Sequence, residues 1–119
     1  MIDAMPTDCL FCRIAAGEIP AGILAQDDLV VAFRDINPAA PTHVLVIPRA
    51  HVASAAELGD DDGPLLGRLI ATANAVAAAE GIAEGGYRLV TNIGDDAGQS
   101  VHHLHLHVLG GRRLSWPPA

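Results

Sequence analysis

The sequence predicts an α+β domain in which one long helix and a short N-terminal helix pack on an antiparallel five-stranded sheet. Five short runs have the residue types of strands, one longer stretch repeats apolar residues at helical spacing, and turn residues separate these elements. A chain of 119 residues suits one hydrophobic core. We therefore expect residues 9–119 to form a single domain, preceded by a disordered segment at residues 1–8.

Each predicted strand is a short run rich in β-branched or other apolar residues and bounded by turn residues. The runs cover residues 23–26, 29–34, 43–47, 87–92 and 101–109. Asp27 and Asp28 fit a tight hairpin turn between the first two runs, and Pro48 closes the third, which is apolar enough to be central. The last two runs should pair antiparallel across the glycine-containing loop at residues 94–100.

Two helices are predicted by apolar spacing and by the residues that end them. The short one covers residues 9–16 and stops at Gly17. The long one covers residues 62–80, where leucines, isoleucine, valine and alanines recur at helical spacing, with Asp62 as a candidate cap and Gly81 as the stop.

Composition and charge narrow the classes of partner. The formal net charge is −7 and the sequence contains no lysine, which argues against a protein that grips long nucleic acids. The sequence has no apolar run of the roughly 18 to 20 residues needed to cross a membrane, and residues 1–8 lack the apolar core of a signal peptide. We expect a soluble, cytoplasmic protein with no membrane partner.

Histidines alternate with aliphatic residues in the last predicted strand. Side chains alternate across a strand, so His103, His105 and His107 should share one face at intervals of about 6.6 Å. One alternative is that these are structural histidines. Another is a three-histidine metal site, although that spacing would require distortion to converge on one ion. The regular alternation favours a set of reactive imidazoles held side by side.

A neutral imidazole is a competent nucleophile toward phosphorus, and its phosphoryl adduct can hydrolyse. The loop before the histidines offers the backbone N–H groups of Gly98, Gln99 and Ser100 and a hydroxyl on Ser100. Such loops can bind anions. Near the other end of the chain, Cys9 and Cys12 have the C-x-x-C spacing that in a cytosolic protein indicates metal or redox chemistry.

The histidine run, residues 103–109, resembles the defining motif of the histidine triad (HIT) superfamily. Further segments resemble the histidine triad nucleotide-binding (Hint) branch, and they lie at residues 11–14, 32–36, 40–43, 98–100, 110–112 and 116–118. Together they span nearly the whole chain from Phe11 onward. The resemblance implies a HIT-like fold and a homodimer whose sheets join across the interface. It also implies hydrolysis of purine nucleoside 5′-phosphoramidates, including adenosine 5′-monophosphoramidate, with no cofactor needed for catalysis.

The resemblance also implies a role for each matching residue. His105 is the nucleophile that forms a nucleotidyl-histidine intermediate, His107 donates a hydrogen bond to the phosphate or leaving group, and His43 and His103 form a relay that orients the ring. The residues implied in nucleotide binding are Asn92, Gly98, Gln99 and Ser100 for the phosphate, Asp35 for the ribose, Phe11, Ile14 and Ile36 for the base, and Trp116 for the neighbouring active site.

Several of these positions have simpler interpretations. Asp35 could cap its own loop, His43 could be a polar residue at the start of a strand, and Asn92 could be a turn residue. Trp116 could pack on its own subunit. His102, where an aromatic residue is common in the family, should be structural.

The cysteine pair departs from the Hint pattern. It resembles that of HIT proteins which bind structural zinc through two further histidines, and His51 and His103 occupy the matching positions. Tetrahedral S₂N₂ ligation suits zinc. Because the Hint branch often lacks these cysteines and works without metal, both possibilities stay open. If zinc takes His103, that ring cannot also serve freely in the relay.

Two other functions fit the same residues. One is a nucleotide-binding or partner-interaction protein in which hydrolysis is vestigial. The other is a dinucleoside polyphosphate hydrolase or nucleotidylyl transferase, which uses the same covalent chemistry but needs a larger leaving-group site. The sequence does not specify the amine that leaves or a preference between adenine and guanine.

Overall fold

The computed structural model describes residues 8–118. All but the last residue of the expected disordered segment, 1–8, therefore lies outside the described residues. The helices are α1 (Leu10–Ala15) and α2 (Gly63–Ala79), and the strands are β1 (Ile23–Gln26), β2 (Val30–Arg34), β3 (Thr42–Pro48), β4 (Tyr87–Val90) and β5 (Leu106–Gly110). No helix in the described range is long and apolar enough to span a membrane.

The strands form one antiparallel sheet in the order β1-β2-β3-β5-β4, which confirms the predicted α+β class. β3 is central, and every residue in it is buried. Its alternating side chains serve two different layers: Val44 and Val46 join the core beneath α2, whereas Leu45 and Ile47 join a second cluster beneath α1. The sheet therefore has one face for α2 and one face for α1, and the histidines discussed below lie on the α1 side.

The hairpin turn forms as its sequence predicts. The Asp27 carboxylate accepts hydrogen bonds from the backbone N–H groups of Leu29 (2.8 Å) and Val30 (3.0 Å). An aspartate that bonds the backbone two and three residues later replaces the ladder hydrogen bonds that a tight turn interrupts. This local chemistry explains why the strand boundaries at this corner are close to the predicted ones.

The last strand is shorter than predicted. It begins at Leu106 instead of Val101; residues 101–103 form bends, and residues 104–105 have no regular structure. The Leu104 N–H donates to the carbonyl of Val52 at 2.6 Å, a bond outside the sheet ladder. His103 and His105 consequently lie outside the strand and do not follow its alternation, and of the three alternating histidines only His107 is in the ladder, opposite Leu45 and Val90.

The predicted cap of the long helix is also wrong in detail. Asp62 stands at the N-cap position of α2 but makes no side-chain capping bond there. Its carboxylate instead accepts the N–H of Gly59 at 2.9 Å and closes the preceding turn, Asp60–Asp62. The other end is as expected, because Gly81 takes the left-handed conformation (φ +76°) that ends many helices.

Gly110 is closely packed on the side of the sheet that faces α2. A Cβ atom at this position would lie 2.7 Å from Ile82 Cδ1 and 3.3 Å from Tyr87 Cβ. Because buried overpacking forces neighbouring atoms apart, Gly110→Ala should lower the free energy of unfolding by about 1 to 3 kcal/mol. Denaturant unfolding measures this. The matched control is Gly67→Ala in α2, where nothing lies within 4 Å; this change should raise stability by up to about 1 kcal/mol, and equal effects of the two changes would contradict the packing described.

Candidate active site

A cavity of about 330 Å³ opens on the α1 face of the sheet. Its walls come from α1, β2, β3, the loop after β2 and the segment that carries the histidines. Of the residues predicted to bind nucleotide or to act in catalysis, the lining contains Phe11, Ile14, Asp35, Ile36, Ser100, His105 and His107. The cavity thus brings together most of the predicted base, ribose and catalytic positions.

One wall of the cavity is apolar. Phe11 and Ile14 project from α1 and pack with Phe33 and Leu45 of the sheet, and all four are buried. Ile36 stands at the rim and is 90% exposed. Phe33 and Leu45 were missed by the sequence reasoning, although the alternation in β2 and β3 would have placed them on this face. A flat apolar group of nucleobase size can be covered by such a wall.

Asp35 lies at the polar end of this wall. One carboxylate oxygen accepts the N–H of Asn37 at 2.8 Å, and the other lies 3.4 Å from Nε2 of His43. The carboxylate therefore holds its own loop, as the simpler interpretation has it, and also lines the cavity. The two arrangements are compatible because a carboxylate has several acceptor positions.

His105 is buried (4% exposed) and its tautomer is fixed by one contact. Its Nδ1 lies 2.7 Å from the carbonyl oxygen of His103. A carbonyl can only accept, so Nδ1 must carry a proton, and in the neutral ring Nε2 then carries the lone pair. Phe11 packs edge-on to the ring at 5.1 Å and restricts its rotation. The neutral ring therefore presents a nucleophilic nitrogen at a fixed orientation.

His43 and His107 form a hydrogen-bonded pair with an equally definite direction. The N–H of Ala39 donates to Nδ1 of His43 at 3.0 Å, so Nε2 of His43 carries that ring's proton and donates to Nδ1 of His107 at 2.9 Å. His107 must then carry its own proton on Nε2. That atom is buried and has no hydrogen-bond partner among residues 8–118. A buried donor without a partner, on a ring that lines the cavity, is suited to an oxygen of a bound ligand.

Burial keeps this pair neutral. Desolvation lowers the pKa of His107 to about 4, helped by the nearby His105 and His43 rings and opposed by Asp35. Desolvation also lowers the pKa of His43, and the Asp35 carboxylate partly offsets it. At neutral pH both rings therefore stay uncharged. The hydrogen bonds from Ala39 to His43 and from His43 to His107 require this, because the accepting Nδ1 of each ring carries no proton.

His103 does not join this pair, contrary to the predicted relay. Its ring is fully buried, and its Nε2 lies 2.9 Å from the carbonyl of Pro48, so Nε2 carries the proton and Nδ1 the lone pair. Nδ1 points at the thiols of Cys9 and Cys12, 3.4 Å from each. The hydrogen-bonded pair is thus His43 and His107, and His103 bonds His105 through its main-chain carbonyl. The cause is that β5 begins only at Leu106, so that His103 lies before the strand and does not follow its alternation.

The donor atoms of Cys9, Cys12, His51 and His103 all lie within 4.8 Å of one another. The Nδ1 of His51 is 3.2 Å from the Cys12 sulfur. In a tetrahedral zinc site a sulfur and a nitrogen ligand are separated by about 3.5 Å, so the cluster fits such an ion. Burial raises the pKa of the Cys12 thiol to about 12, and a cation is the partner that would favour its thiolate.

The loop expected to bind phosphate is largely closed on itself. The N–H of Gly98 donates to Asp95 and that of Gln99 to Gly94, so neither is free for an anion. The Gln99 side chain is buried and bonds the carbonyls of Ala53 (2.7 Å) and Val101 (3.1 Å). The expected row of three backbone donors is therefore wrong: Gly98 and Gln99 shape the loop, and Ser100 alone lines the cavity.

Two other expected positions lie away from the cavity of this chain. Asn92 is half-buried just beyond β4, and Trp116 is 80% exposed in the tail. Neither lines the cavity in the described part of the chain. The His102 side chain is 72% exposed and lies 3.7 Å from the Asp95 carboxylate, so it faces solvent and not the core.

Comparisons with known proteins find one family model and several similar chains. Residues 16–114 match the HIT domain family. The purine nucleoside phosphoramidase of Escherichia coli (strain K12) is 47% identical over 110 residues, which are 92% of this chain and 92% of that protein. An uncharacterized HIT-like protein of Synechococcus elongatus is 51% identical over 114 residues, 96% of this chain and 99% of that protein. The crystal structure of a HIT family hydrolase from Legionella pneumophila is 52% identical with a TM-score of 0.92, covering 94% of this chain and all of that one.

The lowered pKa of His107 makes stability depend on pH. Below a pH of about 6.5 the unfolded chain takes up a proton at this position, whereas the folded chain does so only near pH 4. The free energy of unfolding should therefore fall as pH drops from 6.5 to 4, and about 2 kcal/mol of that loss, allowing for partial exposure, should vanish in His107→Gln. Urea unfolding across this range measures the slope. His102→Gln, which removes an exposed histidine from the same segment, is the control and should keep the wild-type slope; a wild-type slope in His107→Gln would contradict the assignment.

Proposed function

This chain belongs to the HIT domain family, and from that premise we propose that it hydrolyses the P–N bond of purine nucleoside 5′-phosphoramidates, with AMP derivatives as substrates. Homologues named as HIT family hydrolases and as a purine nucleoside phosphoramidase support a hydrolase. The observation that carries the proposal is the fixed tautomer of His105, whose Nδ1–H donates to the His103 carbonyl and whose Nε2 lone pair is left for attack.

In the first step the lone pair on His105 Nε2 forms a bond to phosphorus while the P–N bond breaks. The departing nitrogen leaves as an amine after taking up one proton from the solvent. The adduct on His105 is a cationic imidazole, because the ring keeps its Nδ1 proton, and the His103 carbonyl stabilises that charge through a hydrogen bond that shortens as the ring becomes positive.

In the second step water attacks phosphorus, the N–P bond breaks and AMP is released. Water supplies a hydroxyl to phosphorus and returns one proton to the solvent, so the two steps balance. The ring of His105 is again neutral with its lone pair on Nε2. Histidine suits both steps because its phosphorus adduct is reactive enough to hydrolyse at neutral pH.

The remaining groups bind the nucleotide. His107 Nε2–H donates to a phosphate oxygen or to the leaving nitrogen, which satisfies a donor that is otherwise buried without a partner. The Ser100 hydroxyl provides a second donor, Asp35 accepts from the ribose hydroxyls, and the wall formed by Phe11 and Ile14 covers the base. All of these donors are neutral.

A homodimer is part of the proposal. β4 lies at the edge of the sheet, and its four residues are only half-buried. An edge strand offers unpaired backbone groups to a second copy, so two sheets can join there. Trp116 is exposed and away from its own cavity, and Asn92 follows the edge strand, which fits contacts from one copy to the site of the other.

The expected effect of His105→Ala is the loss of turnover, by about a thousandfold or more, because no other group can form the covalent adduct. Binding of AMP should stay within a few fold of wild type, since the apolar wall and Asp35 remain. Single-turnover cleavage of adenosine 5′-monophosphoramidate and calorimetry with AMP measure the two effects. Mass spectrometry after an alkaline quench should find one AMP group on His105 in the wild type only.

The control is His102→Ala, which removes the neighbouring exposed histidine and should leave turnover unchanged. Turnover by His105→Ala at the wild-type rate would refute the nucleophile. Micromolar AMP binding by the wild type without any cleavage would favour a nucleotide-binding protein over a hydrolase.

We propose structural zinc at Cys9, Cys12, His51 and His103, where it would tie α1 to the segments after β3 and before β5; catalysis itself requires no cofactor. Elemental analysis of the purified protein should find about one zinc per chain, and the Cys9→Ser/Cys12→Ser variant should lose it together with several degrees of melting temperature. His105→Ala, which leaves the four ligands in place, is the control. Zinc retained at full stoichiometry by the double variant would refute this site.

A further inference from the structure

We propose that Cys9, Cys12 and His51 are positioning residues for the nucleophile: by holding the His103 side chain, they fix the main-chain carbonyl that accepts the Nδ1–H of His105. This inference rests on the proposed function, because it assigns a catalytic consequence to three side chains that were not part of the predicted relay. The contacts run from the two thiols to the His103 side chain, and from the His103 carbonyl to the ring of His105.

His103 connects the two sites through three of its atoms. Nδ1 contacts both thiols at 3.4 Å, Nε2–H donates to the Pro48 carbonyl at 2.9 Å, and the main-chain oxygen accepts from His105 at 2.7 Å. The side chain is fully buried. A ring anchored at both nitrogens leaves its own backbone little freedom, so the side-chain anchors determine where the carbonyl points.

The sheet does not hold this carbonyl. Residues 101–103 are bends, residues 104–105 have no regular structure, and β5 begins only at Leu106. The backbone bond that fixes the segment is the one from Leu104 N–H to the Val52 carbonyl at 2.6 Å, and Val52 directly follows His51. His51 therefore helps to hold this segment in two ways. Its side chain is part of the cysteine cluster, and the carbonyl of the next residue, Val52, accepts the hydrogen bond from Leu104.

A second path runs through α1. Cys9 caps this helix and Cys12 lies within it. Between them, the Phe11 ring packs edge-on to His105 at 5.1 Å and to His103 at 6.0 Å. Because a short helix of six residues has little stability of its own, the cysteines that tie it down also hold Phe11 against the nucleophile.

The chemistry of attack makes this positioning matter for rate more than for binding. The His105 ring gains positive charge as its Nε2 bonds to phosphorus, so the bond to the His103 carbonyl is stronger in the transition state than in the free enzyme. Without that acceptor the ring can place its proton on Nε2 instead, and in this tautomer Nε2 has no lone pair with which to attack. The groups proposed to bind the ribose and the phosphate, Asp35, Ser100 and His107, lie outside α1, so KM should change less than kcat.

The test compares His51→Gln and Cys9→Ser with the wild type. Both positions are only half-buried, so these variants are milder than a change at Cys12 or His103. We expect kcat for adenosine 5′-monophosphoramidate to fall by about tenfold or more while KM stays within about twofold. Nitrogen-15 NMR of the side chains, without substrate, should show His105 as a single Nδ1–H tautomer in the wild type and as a mixture in the variants.

Gly110→Ala controls for loss of stability, since it strains the sheet away from the cavity and should keep the wild-type kcat and tautomer. If the cluster variants keep both kcat and the Nδ1–H tautomer, the inference is overturned. If the wild type cleaves no phosphoramidate, the proposed function fails, but the NMR comparison still decides whether the cluster sets the tautomer of His105.

Discussion

The hydrogen bond from His105 Nδ1 to the carbonyl of His103 is the interaction on which the proposed chemistry of this site depends. An imidazole has two nitrogens, and only the one without a proton can attack. A main-chain carbonyl two residues away removes the ambiguity, because it cannot donate. The same method recurs nearby: the Pro48 carbonyl sets the tautomer of His103, and the Ala39 N–H sets that of His43. Each buried ring has its proton assigned by the backbone.

Burial has a cost that these contacts offset. A buried polar nitrogen without a partner costs about 1 to 3 kcal/mol, and the histidines of this site are nearly all satisfied within the protein. The exception is Nε2 of His107, which remains unpaired among the described residues. The ring stays in this position because His107 belongs to the β5 ladder and its Nδ1 accepts a hydrogen bond from His43. The unsatisfied atom is at the cavity, where a ligand can satisfy it.

Features that depend on local chemistry were predictable from the sequence. The hairpin follows from Asp27, the central strand from the apolar run before Pro48, and the long helix from its apolar spacing. The clustering of two cysteines with His51 and His103 was implied by resemblance to relatives and not by spacing, since these residues are far apart in the chain. Composition and periodicity do not predict contacts between residues that are so far apart in the chain.

The errors about the last strand and about the Gln99 side chain share one physical cause, which is competition from a tertiary partner. The prediction of alternating histidines assumed that the last strand continued back to Val101, but the Val52 carbonyl takes the Leu104 N–H and ends the ladder early. Likewise Gln99 was expected to face a phosphate, and the carbonyl of Ala53 captures its amide instead. The three histidines nevertheless lie in one region. The strand holds His107, the His103 carbonyl holds the ring of His105, and the two cysteines hold the ring of His103.

The charge around the cavity bears on which phosphates it can accept. Arg34 is the one arginine or lysine among the described lining residues, and its guanidinium makes a two-point bond to the Glu80 carboxylate at 2.6 and 2.9 Å. Its charge is therefore already balanced, in a chain whose net charge is −7. What remains for an anion is a set of neutral donors on His107 and Ser100. Neutral donors can stabilise the single negative charge of a nucleoside phosphoramidate, whereas a polyphosphate concentrates several charges that call for arginine, lysine or a metal ion. The scarcity of free cations at this cavity thus favours a phosphoramidate over a dinucleoside polyphosphate, for a reason independent of the leaving group's size.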